Sequence, residues 1–239
     1  MLVVIFLVSL IPAAILYFWM KNRIKDDPEY KKTCRKALIN GLISTLIVAL
    51  ASGVSSMILA ALIKDRESIL YIALYNFVVI ALAEEAGKMF MMRKLKKGSY
   101  AWSWMETIVF MTCVGIGFEL IESIVYGFVT NAMQMLVRGV TMMHAVYGMI
   151  MGYFFGKAEY TGEKIYYVLS LAVPWILHGM FDFTLKDRIA DINDFFFLMP
   201  GILVIINMVV LFRTIRFFRK ERDNEKYTAA IIRPEETQI

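Results

Sequence analysis

The stretch SILYIALYNFVVIALAEEAGKMFMM, residues 68–92, decides the fold. It begins as a membrane helix, with no charge between Ser68 and Ala83, and then sets Glu84, Glu85 and Lys88 inside the apolar run. A helix needs about 20 apolar residues to cross the hydrocarbon core. An ionised carboxylate near its centre costs roughly 2.5–3.5 kcal/mol on insertion scales. The same pattern recurs downstream. Glu119 and Glu122 lie in the next apolar stretch, His144 in the one after, and His178 with Asp182 in the one after that. So many polar groups are tolerable in lipid only if they face one another, and such a cluster is by default a functional site.

Working outward, the 239 residues are 59% hydrophobic, and the mean hydropathy is +0.60. A soluble domain of that composition would lack the polar residues to cover its surface. The expected fold is all-α, a polytopic membrane helical bundle of about seven transmembrane helices, near 2–20, 37–63, 68–92, 102–129, 135–156, 165–185 and 195–217. Residues 1–219 form the membrane unit, and 220–239 a charged cytoplasmic tail expected to be mobile. The net charge of +5 is no sign of nucleic-acid binding, because the basic residues cluster beside apolar stretches as topology signals do. Twenty Lys and Arg fall in loops 21–36, 93–101 and 157–164 and in the segment from Arg213, against four (Lys64, Arg66, Lys186, Arg188) on the alternate side. That asymmetry predicts an outside N-terminus and a cytoplasmic C-terminus. The first twenty residues lack a basic leader and precede Lys21, Arg23 and Lys25, so they read as a retained anchor. Cys34 and Cys113 suggest neither a disulfide nor a metal motif.

The charged motifs carry the chemistry. In AEEAGK, Lys88 lies one helical turn from both Glu84 and Glu85. It can pair with either, or snorkel to the cytoplasmic interface. Adjacent glutamates point about 100° apart on a helix, so one can face a cavity while the other pairs. Either suits general acid–base work. In GIGFELIESIVYG, Glu119 and Glu122 share a face with Gly115 and Tyr126. In HAVYGMIMGYFFG, His144, Gly148, Gly152 and Gly156 recur every four residues, placing the imidazole where two helices approach closely. Arg138, one and a half turns earlier, is placed to counter a buried acid. In PWILHGMFDF, His178 and Asp182 are i,i+4, and Pro174 can kink the span. The depths of Glu84 and Glu122 agree only if the third span is long and runs on into Arg93–Lys97. Three chemistries fit: carboxylate-activated water attacking a peptide carbonyl, zinc on His144, His178 and a glutamate, or a proton relay in a transporter. The absence of H-E-x-x-H weighs against an obligatory zinc. The G-x-S-x-G nucleophile signature is absent too.

The ordered set YFWMKNRIKDDPEY, EEAGK, GFELIE, HAVYGMIMGYFFGKA and LHGMFDF resembles the PrsW intramembrane proteases, relatives of the CAAX prenyl proteases and the Abi immunity proteins. The resemblance covers nearly the whole chain. By position it implies that Glu84 and Glu85 are the family's paired glutamates, and that Phe118 and Glu122 form its F-x-x-x-E element. His144 then opens the histidine–glycine segment, and His178 with Asp182 form H-x-x-x-D. Glu122 stands where the CAAX enzymes have histidine, so their mechanism does not transfer directly. Glu119 is not a motif position. The resemblance implies an intramembrane peptide hydrolase in the cell membrane, acting on a membrane-anchored substrate such as an anti-sigma factor at its first cleavage site. No cofactor is firmly implied, and zinc is an option. The competing readings are a proton-coupled transporter, which would usually show inverted repeats that are absent here, and a non-catalytic Abi-type immunity protein.

Overall fold

In the computed structural model, residues 2–24, 27–127 and 138–231 are described. Local chemistry starts each helix. Asp27 accepts the Tyr30 N–H at 2.6 Å and Pro28 fills the first position of α2 (Pro28–Leu62), a combination that satisfies orphan amides at no cost to the ladder. Ser68 caps α3 (Ile69–Lys97) through the Tyr71 N–H. Ahead of α2 lies α1 (Leu2–Arg23), and after α3 come α4 (Trp104–Gly127), α5 (Met143–Thr161), α6 (Ile165–Thr184) and α7 (Asp194–Lys220). Asn193 caps α7 through the Phe196 N–H. The α6 helix continues unbroken through Pro174.

The expectation of a helical membrane bundle holds. Five described helices (α2, α3, α4, α6 and α7) are long and apolar enough to cross a membrane. The other two predicted spans are not among these five. The first lies within α1 (Leu2–Arg23). The fifth is interrupted at Met142, whose φ of 43° is left-handed, and resumes as α5 with His144, Lys157 and Glu159 along it. That helix is mostly covered by its neighbours, so it has little need of a lipid-facing apolar surface.

At the centre is α4, buried on all sides from Trp104 to Glu119 and packed chiefly against α5 and α2. Glycines bring these helices together. A Cβ on Gly148 would come within 2.6 Å of the Met111 carbonyl oxygen, and one on Gly115 within 2.2 Å of that of His144. This is the close approach expected of the His144–Gly156 face. Lipid-facing apolar side chains line the exterior, as on α7 at Phe197, Ile205 and Phe212.

Two features position the site. The third helix does continue to Lys97, which sets Glu84 and Glu85 near its middle. Just before them, Tyr75–Leu82 is wound as a π-helix. Ser52 Oγ donates to the Val79 carbonyl at 2.9 Å and Trp175 Nε1 to that of Phe77 at 2.6 Å, so neighbouring helices satisfy its backbone. Such wide turns are rare and often adjoin functional sites. The tail does not trail away as expected, at least to Ile231. Its residue Tyr227 packs on Trp104 and Phe217, and the Ile231 N–H donates to the Trp102 carbonyl at 3.1 Å. Cys34 and Cys113 are buried free thiols.

Candidate active site

All six residues singled out as candidates converge between α3, α4, α5 and α6. Glu85 is fully buried. Its Oε1 accepts from Lys88 Nζ at 2.8 Å and lies 2.9 Å from His178 Nδ1. His178 Nε2 is 3.2 Å from Asp182 Oδ2. On the other side, His144 Nε2 is in hydrogen-bond contact with Glu122, which is also paired with Arg138 at 2.7 Å. The paired role expected of Arg138 is therefore present. Glu84 differs from its neighbour. Both glutamates keep a buried Oε2 without a hydrogen-bond partner, but that of Glu84 lies 4.0 Å from His144 Nε2 and 3.9 Å from His178 Nε2. The rotation between adjacent helical positions thus separates the two glutamates, one tied into a network and one facing two imidazoles.

Three other residues complete the geometry. Lys88 is fully buried, with Nζ 2.7 Å from His144 Nδ1 and 4.3 Å from the centre of the Phe118 ring. Between its two readings, pairing wins over snorkelling, because the side chain bridges Glu85 to His144 instead of reaching for water. Glu119 does not join the cavity network through its own acid–base partners. Its Oε2 accepts the backbone N–H of His144 at 3.2 Å, capping the first turn of α5 beside the left-handed Met142. Tyr147 was not anticipated. It stacks on His178 with ring centres 5.4 Å apart, and its i+3 spacing from His144 was the available signal. A crevice of about 40 Å³, lined by Glu122, Arg138, Thr141, His144, His178 and Asp182 among others, has room for one or two waters.

The site holds five carboxyls (Glu84, Glu85, Glu119, Glu122, Asp182) and two side chains that are ordinarily cationic (Lys88, Arg138). Uncompensated negative charge in a low-dielectric interior is costly, so the arrangement favours a further proton or a cation. Glu84, His144 and His178 each present one donor atom, all within 4.8 Å of one another, and the unpartnered Glu84 oxygen points at both imidazoles. His178 has the carboxylate partner on its other nitrogen that ligating histidines commonly have. Lys88 Nζ donates to His144 Nδ1, which directs the ring hydrogen on Nε2 toward Glu122, so His144 would hold an ion through Nε2 once that hydrogen is displaced. These residues fit a metal. The objection from the missing H-E-x-x-H loses force, because three separate helices supply what that motif supplies from one.

The chain resembles known proteins over most of its length. The family described as PrsW family intramembrane metalloprotease matches residues 32–214. Protease PrsW of Clostridioides difficile (strain 630) is 28% identical over 194 residues, 76% of this chain and 79% of that protein. The Protease PrsW of Oceanobacillus iheyensis is 32% identical over 143 residues, covering 57% and 64%. That of Bacillus subtilis (strain 168) is 34% identical over 100 residues, covering 40% and 44%. No solved structure matches the chain. The matched span runs from α2 into α7 and includes every residue of the acid–histidine cluster, and on that footing the chain belongs to the PrsW family of intramembrane metalloproteases.

Proposed function

We propose that the chain is an intramembrane endopeptidase in which Glu84 activates water. The observation that carries this reading is the buried, unpartnered Glu84 Oε2 facing His144 and His178. A carboxylate so placed can take a proton from water as the oxygen attacks a peptide carbonyl, and return it to the leaving amine. Glu85 holds Lys88 and orients His178 through Nδ1. The imidazoles can donate to the developing oxyanion, and Asp182 holds His178 through Nε2. Glu122, fixed by Arg138, orients His144.

Glu84, His144 and His178 are the residues that would hold an ion, and two imidazoles with a carboxylate suit zinc. When bound, such an ion polarises a carbonyl and lowers the cost of deprotonating water. Glu84 is indispensable under either account, as a base without an ion or as a holder of one.

The substrate in this reading is a membrane-anchored protein, of the anti-sigma-factor kind cut at its first site, as the sequence resemblance implies. Residues 1–219 act as one membrane unit, N-terminus outside, and 220–239 lie in the cytoplasm. Reconstituted protein should cleave a single-span substrate. Metal analysis of the same preparation, with chelation and zinc re-addition, assigns the role of the ion. Reconstituted, correctly folded protein that cuts no single-span substrate but moves protons across the vesicle would instead favour a transporter.

A further inference from the structure

A second polar feature lies at the other end of the same helices. A cleft of about 750 Å³ is bounded by the end of α3 (Arg93, Lys96, Lys97), the end of α5 (Phe155, Glu159) and the start of α6 (Lys164, Tyr167), with Tyr100 and Ile231 closing it. It is within the usual size range of a small-molecule site. Among the described residues its one acid, Glu159, is already engaged by Lys96 and by the Tyr167 hydroxyl. Arg93, Lys97 and Lys164 are exposed and make no ion pair among the described residues. The cleft therefore presents three uncommitted cations beside tyrosines and the Phe155 ring, on the side of the bundle rich in basic loops.

We propose that this cleft binds the phosphate headgroup of an anionic phospholipid. Basic pockets between membrane helices at the cytoplasmic face take such headgroups, while the aromatic wall suits the glycerol and upper acyl region. The flank of a membrane-anchored protein substrate is a poorer occupant. Cytoplasmic flanks of membrane spans are themselves rich in Lys and Arg and would be repelled. Lys96 lies eight residues beyond Lys88, about 12 Å along the helix. A headgroup here would clamp the ends of the three helices that carry Glu84, His144 and His178.

The test uses the full chain in phosphatidylcholine vesicles with and without phosphatidylglycerol, reading retained lipid by native mass spectrometry and the melting temperature. Phosphatidylglycerol should be retained and should raise the melting temperature. A triple variant Arg93→Gln/Lys97→Gln/Lys164→Gln should bind it about a hundredfold more weakly. A control triple, Arg35→Gln/Lys36→Gln/Lys94→Gln, removes equal charge from exposed sites outside the cleft and should bind as the unaltered chain does. Lys97→Gln alone, at an exposed position, should weaken binding about fivefold and guards against a folding defect in the triple. Equal losses in both triples would overturn the proposal in favour of general surface charge. Equal protection by inorganic phosphate, or by an acidic peptide in neutral vesicles, would overturn it in favour of those ligands.

Discussion

At the scale of residues, the site turns on how one polar atom differs from its neighbour. Glu84→Gln keeps volume but removes the base, and cleavage should fall by at least a hundredfold, the usual loss when a general base is removed. Glu85→Gln removes an orienting group, and the loss should be ten- to a hundredfold. Rates on a single-span substrate at matched membrane levels decide, and equal effects would contradict the division. Lys88→Met leaves Glu85 buried beside an apolar chain and should cost about 3 kcal/mol of stability, recovered in part by adding Glu85→Gln; a melting series on the two single variants and the double checks this. The acids and histidines were legible in the sequence because apolar spans make them conspicuous. Which glutamate faces the imidazoles was not, since that depends on helix rotation after the π-helical turn. The capping role of Glu119 was hidden as well, because its partner amide belongs to another helix.

At the scale of elements, the α4–α5 crossing places His144. The Gly148 position has no room for a methyl group, given the Met111 carbonyl oxygen 2.6 Å from where a Cβ would lie. Gly148→Ala should cost roughly 1–3 kcal/mol and lower cleavage with it. Gly53→Ala on α2 meets nothing within 4 Å and should be neutral or stabilising, helix propensity favouring alanine. Similar destabilisation by both would contradict the close-approach account. The four-residue glycine spacing made this crossing readable in advance. The break at Met142 was not readable, because no glycine or proline marks it and the left-handed turn is held by tertiary partners.

At the scale of the whole molecule, the charge pattern predicts how the bundle is oriented. Cys34 and Cys113 are buried, so introduced cysteines can report alone. Asp191→Cys should react with an impermeant thiol reagent applied outside intact cells, and Asp223→Cys only after the membrane is opened; the reverse pattern would contradict the N-out orientation. Composition revealed the membrane bundle. The docking of the tail on Trp102–Trp104 escaped notice because a charged, proline-containing end carries no local sign of a partner.

The central claim is that Glu84, set between His144 and His178, carries out peptide hydrolysis inside the membrane. The most direct measurement compares the unaltered chain with Glu84→Gln, both purified and reconstituted with one single-span substrate, at equal protein levels and with melting temperatures confirming the fold. The account predicts a defined cleavage product from the unaltered chain and none from the variant, and full cleavage by a folded Glu84→Gln protein would contradict it.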